Sequence, residues 1–327
     1  MLKGMKLRML SALVLTCGLT ASRPAAAQTR TVNDDGVKVQ ARRALAMEQQ
    51  GDFEQALKIF ARLANAKGID VAEAGRIQNY LGYAQQEEGD FGNARASYKQ
   101  AIRIFQKNPS EASDEAASLD NLADLDRAMG DLKAARRLER ESLHLFENAG
   151  DHGGAAWALT HMAVIELTRK RQNEAEEYLS SAAEEARKAP ELGKNFQVSL
   201  YSTKGWLADL QGDTSEAIFD YSQAIALEPR KDSVIAGWEH VLLGRAYSDD
   251  GRLAVALSEM QKGLTILGDT VGKHSRQYLA AEIAYARTLD SLGEHAESAE
   301  IKNSAATELN LLCGECSSYR KALLTGN

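Results

Sequence analysis

A short phrase recurs along this 327-residue chain: Gly51-Asp52-Phe53, Gly89-Asp90-Phe91, Gly130-Asp131-Leu132, Gly212-Asp213-Thr214, Gly251-Arg252-Leu253 and Gly293-Glu294-His295. Lys170-Arg171-Gln172 fills the one gap in the series. With the first residue of each phrase taken as a marker, successive markers lie 38, 41, 40, 42, 39 and 42 residues apart. A period sustained in this range implies stacked supersecondary units, each unable to bury its apolar face alone, rather than one closed core. The chain therefore reads as about seven such units, and a binding scaffold is the leading function.

The register within each unit predicts two antiparallel helices. Seven residues before the marker stand Ala44, Gly82, Ala123, Ala163, Gly205, Gly244 and Ala286. Five residues after it stand Ala56, Ala94, Ala135, Ala175, Ala217, Ala256 and Ser298. Helices approach closely only where neither carries a bulky Cβ substituent, so these two rows are the expected contact seam. Larger apolar residues flank them at helical spacing, such as Leu122 with Leu125 and Leu243 with Tyr247. The marker glycine suits the left-handed position that ends a helix. The four prolines, Pro24, Pro109, Pro190 and Pro229, all fall outside the predicted repeat helices, where each would cost about 3 kcal/mol.

This pattern resembles the tetratricopeptide repeat family over roughly Val37 to Leu311. The closest match in spacing is the fifth repeat, Tyr201 to Pro229, with Gly205, Gly212-Asp213, Ala217, Tyr221 and Ala224. Repeats three and seven look like the longer variant of kinesin light chains: Leu119-Asp120-Asn121-Leu122-Ala123 matches its first helix, and Gly150-Asp151-His152 and Gly272-Lys273-His274 its inter-repeat loop. Departures are Lys170 for glycine, and Glu139 and Lys302 where an apolar or aromatic residue is usual. The resemblance implies an all-α, right-handed superhelical solenoid whose first helices line a concave groove. The groove residues it implies as peptide-binding are Tyr83, Asp124, Trp157, Trp206, Trp238, Arg245 and Arg287. Trp is enriched among residues that dominate binding energy, and all three of the chain fall in this set. The alternative for these tryptophans is that they fill gaps between adjacent first helices. The lysine and asparagine pair with which some relatives grip a C-terminal carboxylate is missing from every repeat.

The N-terminus reads as an address. Lys3, Lys6 and Arg8 precede an apolar run from Met9 to Leu19, and Ala25-Ala26-Ala27 offers a cleavage site before Gln28. The run is shorter than the ~20 apolar residues a bilayer span needs, so no stable membrane insertion is expected after cleavage. The expected organisation is a signal peptide over 1–27, a linker over 28–36, the repeats over 37–311 and a tail over 312–327, in an exported, periplasmic or secreted protein. A lipid anchor on Cys17 is disfavoured because Thr16 is larger than the residue such sites take. Cleavage leaves 35 basic residues against 46 acidic, a net charge of −11 against −7 for the whole chain. Such a surface repels phosphate, which argues against nucleic acid as a partner. Cys313 and Cys316 remain, and in an oxidising compartment a local disulfide on the C-terminal cap is the simplest use of the pair. A redox pair would want a preceding strand, and a zinc site two further ligands.

No catalytic or cofactor motif stands out: there is no phosphate-binding glycine loop, Gly-x-Ser-x-Gly or His-Glu-x-x-His. The six histidines are scattered, Asp249-Asp250 precedes a helix-ending glycine, and Glu174, Glu176, Glu177, Glu184 and Glu185 read as a solvated helix face. The expected protein does no chemistry, needs no cofactor or metal, and binds a protein or peptide partner, for instance in envelope assembly or secretion. Self-association, and a small molecule or glycan in the groove, are the alternatives.

Overall fold

The computed structural model describes residues 32–312 apart from 50, 51 and 67. The expectations for the signal peptide, Cys17, the marker Gly51 and the Cys313/Cys316 pair lie outside the described residues. Those residues form fourteen helices, one 3-10 turn (Pro109–Glu111) and no strand. The helices are α1 (Val32–Gln49), α2 (Phe53–Ala64), α3 (Val71–Glu87), α4 (Phe91–Phe105), α5 (Ala112–Ala128), α6 (Leu132–Ala149) and α7 (His152–Thr168). They continue as α8 (Gln172–Lys188), α9 (Lys194–Gln211), α10 (Thr214–Leu227), α11 (Val234–Asp249), α12 (Leu253–Thr270), α13 (Arg276–Leu292) and α14 (His295–Leu312). The all-α class of repeated antiparallel helix pairs is as expected. No helix among the described residues is long and apolar enough to cross a membrane.

The marker phrase is a two-part hinge. Its first residue leaves the helix in the left-handed region: φ is 82° at Gly89, 85° at Gly130, 82° at Gly212 and Gly251, and 99° at Gly293. Lys170 adopts φ 63°, the only positive φ of a non-glycine among the described residues. Its second residue caps the next helix. Asp52, Asp90, Asp131 and Asp213 each accept a backbone N–H three residues on, from Gln55, Asn93, Ala134 and Glu216, at 3.0–3.2 Å. Such a cap contributes about 1 kcal/mol. Pro109, Pro190 and Pro229 fall between helices.

The small-residue rows lie where the register put them. Ala44, Ala56, Ala94, Ala123, Ala135, Ala163, Ala175, Ala217, Ala256 and Ala286 are all buried. The glycines are demanded by close approach: a Cβ on Gly82 would lie 2.7 Å from the Tyr98 ring, and one on Gly205 2.8 Å from the Tyr221 ring. Nine residues after each marker the second helix thus drives a large side chain into the first, with Phe60, Met260 and Leu179 filling the same place elsewhere. Glu139 occupies this place on α6 and is itself buried. Lys302 occupies it on α14 and pairs with Asp290 of α13.

The described residues divide into two compact units, one of residues 32–127 and 131–158, the other of 159–312 with 128–130. In the first, α1 to α3 enclose Ala41, Phe60, Leu63, Ile77 and Leu81, and α4 to α6 enclose Tyr98, Ile102, Leu119, Leu125 and Leu138. In the second, α10 to α14 share an apolar core around Tyr221, Trp238, Leu242, Met260 and Leu279. A separate cluster there joins Val164, Leu167, Leu179 and Trp206.

Candidate peptide-binding surface

The polar side chains of the first helices are placed by the same period as the seam. Three residues before the marker stand Gln86 on α3 and Asp209 on α9; six before it, on the next first helix, stand Asp124 on α5 and Arg245 on α11. In the first unit the Gln86 amide donates to Asp124 Oδ2 (3.0 Å) and accepts from the buried Tyr98 hydroxyl (3.2 Å). In the second unit Asp209 pairs with Arg245 and accepts from the Tyr221 hydroxyl (2.9 Å). Tyrosine from the second helix, polar residue from the first, polar residue from the following repeat: one three-part joint occurs in both units.

A second rung lies one to two turns nearer the helix N-termini. In the first unit Asn121 donates to Asn79 (3.0 Å), both buried, and Arg76 bridges to Asp114 (3.0 Å) and Glu111 (2.8 Å). In the second unit Ser202 donates to Glu239, both buried. Burial pushes the Glu239 carboxyl up to about 8, and the charge of Glu228 adds to it against the Ser202 hydrogen bond. Burial also raises Asp209, while Arg245 and Tyr221 hold it down. Arg245 is buried and stays cationic beside Asp209.

The seven residues singled out in the sequence are divided between the two units. Tyr83, Asp124 and Trp157 belong to the first unit and Trp206, Trp238, Arg245 and Arg287 to the second. Tyr83 is half-buried and lies edge-on to Phe53 at 6.2 Å. Asp124 accepts from Gln86 and from Arg127 Nε (3.1 Å), and Trp157 is half-buried on α7. Trp206 and Trp238 are only 1% and 2% exposed and sit in different apolar clusters. They therefore offer no aromatic platform to a ligand: the gap-filling alternative is what the structure shows. Neither indole N–H meets an acceptor among the described residues, which marks the rings as packing bodies.

Arg245 and Arg287 stand six residues before the marker in consecutive repeats. Arg245 forms an ion pair with Asp209, 36 residues back on the preceding first helix. Arg287, on α13, is half-buried. It is pushed down to about 10, first by burial and then by the charge of Arg245, with Asp290 opposing. Lys302 and His295 Nδ1 (3.4 Å) also bind Asp290. Two guanidinium groups thus feel one another on the first-helix face of the second unit. Arg287 is the less buried of the two. The sequence reading missed Gln86 and Glu239. A polar residue three before the marker with a tyrosine nine after it, as in the second and fifth repeats, was the signal for the first. Nothing in the pattern marks Glu239, whose partner comes from another repeat.

Comparison with known proteins agrees with this register. Tetratricopeptide repeat models match residues 73–148 and 198–231. No curated protein matches the chain. Among solved structures, the Rap conjugation gene regulator of plasmid pLS20, in complex with the Phr* peptide, superposes with a TM-score of 0.68 at 12% identity, covering 91% of this chain and 82% of that one. A Rap protein complexed with competence and sporulation factor gives 0.56 at 13% identity, covering 89% and 97%. A tetratricopeptide repeat protein from Parabacteroides merdae gives 0.52 at 16% identity, covering 89% and 98%. At these identities the likeness is one of fold. With the repeat matches, the hinge geometry and the buried small-residue rows taken together, the chain belongs to the tetratricopeptide repeat family.

Proposed function

We propose that the chain is a non-catalytic scaffold that binds a protein or peptide, and that the first-helix face of its second unit takes a carboxylate of that partner. The observation that carries this reading is Arg287, half-buried and pushed down to about 10 beside the buried Arg245. A carboxylate placed against it would relieve the repulsion between the two guanidinium groups, and a planar fork suits such a ligand. Of two solved structures of like fold, one is in complex with the Phr* peptide and the other with competence and sporulation factor. Transferred here, that use of the fold favours a peptide over a glycan. Export, and a role in envelope assembly or secretion, belong to this proposal through Met9 to Leu19 and the alanines before Gln28.

The test is titration with a peptide library that varies only in acidic content. Acidic peptides should bind, and Arg287→Ala should lose most of that binding with helicity and melting temperature nearly unchanged. Arg287→Lys should restore part of it. Equal capture by wild type and Arg287→Ala would move the binding surface elsewhere. Because Trp206 and Arg245 are buried, substituting them would unsettle the fold and tell nothing about capture. Export is decided separately by N-terminal sequencing of protein made in a secreting host: a start at Gln28 is expected, and an unprocessed N-terminus refutes it.

A further inference from the structure

The second helices differ in charge between the two units. α4 carries Arg95, Lys99 and Arg103 and no acidic residue, and Lys107 follows in the next turn. α6 adds Lys133, Arg136, Arg137 and Arg140 against the buried Glu139 and the exposed Glu141 and Glu147, and Arg137 lies 3.9 Å from Glu141. Every second helix from α8 onward is net acidic: α8 has five glutamates against Arg187 and Lys188, and α10 has Glu216 and Asp220 with no cation. An acidic chain thus keeps one helix, α4, with cations alone beside a mildly cationic α6, and an anionic face on α8 and α10.

Several exposed charges elsewhere find a partner one turn away, as Lys58 with Glu54 (2.6 Å), Lys188 with Glu185 (2.8 Å) and Lys262 with Glu259 (2.7 Å). α4 has no carboxylate of its own to do this. Arg95 reaches Asp126 of α5 (2.5 Å), and Arg103 reaches only the Gln100 amide (2.8 Å). The spacing of the two faces also agrees. Arg95 and Arg103 are eight residues apart and Lys133 and Arg140 seven; Glu176 and Glu184 are eight apart and Glu177 and Glu184 seven. On a helix that is roughly 11–12 Å in each case. Glu176, Glu177 and Glu184 are exposed.

We infer that the α4–α6 face binds the α8 face of a second copy of this chain, head to tail. The contact is heterologous, so one copy presents its cationic face while its anionic face stays open to the next. Complementary charge of this kind sets register and encounter rate more than affinity, so the association is weak and salt-sensitive.

The experiment is light scattering on the purified full-length chain across a concentration series. At low salt the apparent mass should rise with concentration; at about 0.5 M salt, where the screening length is about 4 Å, it should stay at the monomer value. Lys99→Glu with Arg103→Glu should remove association, and so should Glu176→Lys with Glu184→Lys. An equimolar mixture of the two variants, each folded by circular dichroism, should associate again, because every contact is then made between opposite charges. A chain that stays monomeric at low salt overturns the inference, as does association that survives both charge reversals or a mixture that does not associate. Binding of a monomeric chain to phosphatidylglycerol vesicles through Lys99 and Arg103 would assign the cationic face to lipid instead and equally overturn it.

Discussion

The joint between consecutive repeats is built twice in the same register with different chemistry. In the first unit it is Tyr98, Gln86 and Asp124, with an amide at the centre; in the second it is Tyr221, Asp209 and Arg245, with an ion pair at the centre. The neighbouring rung differs in the same sense, Asn79 with Asn121 against Ser202 with Glu239. The geometry of the stack therefore requires a polar link at this place and leaves open whether the link is charged. What the charge changes is dependence: each ion needs its partner, and a titratable rung makes the second unit answer to pH.

The largest effect should come from unpairing the buried ion pair. Arg245→Met leaves Asp209 as an uncompensated buried charge, and the loss should be about 3–5 kcal/mol by chemical denaturation. Gln86→Met removes a neutral group from the matching joint, at about 1–3 kcal/mol. Asp209→Asn added to Arg245→Met should recover much of the loss. Equal costs at Gln86 and Arg245 would show that the charge has no energetic consequence.

Next in size is the seam, where the two units should behave alike. Ala94→Leu and Ala217→Leu each force a side chain into fully buried positions and should cost about 1–3 kcal/mol. Because repeats lean on their neighbours, the damage should spread along the stack rather than stay local. An unchanged melting temperature for either variant would remove that alanine from the seam.

The pH response sharpens the contrast between the rungs. The folded chain holds a proton on Glu239 up to about pH 8, whereas the unfolded chain loses it near 4.5. The stability this contributes is full below the unfolded value and is lost as pH rises through about 8. Melting temperature should therefore fall across that window, and Glu239→Gln should fall less. Glu48, in the first unit, is raised to about 9 by burial and by Glu87, so its share extends beyond the window and is common to both proteins. Parallel curves for wild type and Glu239→Gln would refute the assignment.

The smallest change concerns the marker. Lys170 holds φ 63° where the other described markers are glycines. Lys170→Gly removes strain of roughly 1–2 kcal/mol but gives the unfolded chain more freedom, so the net gain should be under about 1 kcal/mol. A loss on this substitution would show that the Lys170 side chain contributes more than its backbone costs.

Much of the fold was legible before the structure. The marker, the two rows of small residues and the prolines fixed helix ends and the seam, because a left-handed turn and a close helix contact each admit few residue types. The candidate surface was far less legible. The family register correctly chose first-helix positions, yet Trp206, Trp238 and Arg245 at those positions are buried. Whether such a position faces solvent or a neighbour depends on the side chain opposite it, and that side chain lies some forty residues away, as Asp209 does from Arg245.

The sequence by itself determined the repeat, its period, the helix caps and turns, and the need for small residues in the seam, all of which are local demands of backbone conformation and close packing. Only the tertiary structure decided that Asp209, on the preceding first helix, pairs with Arg245, that Trp206 and Trp238 fill the stack rather than line a surface, and that Glu139 is buried where Lys302, in its own repeat, pairs with Asp290. Those outcomes depend on which side chains different repeats bring together and how much water is excluded where they meet, and a one-dimensional period carries neither.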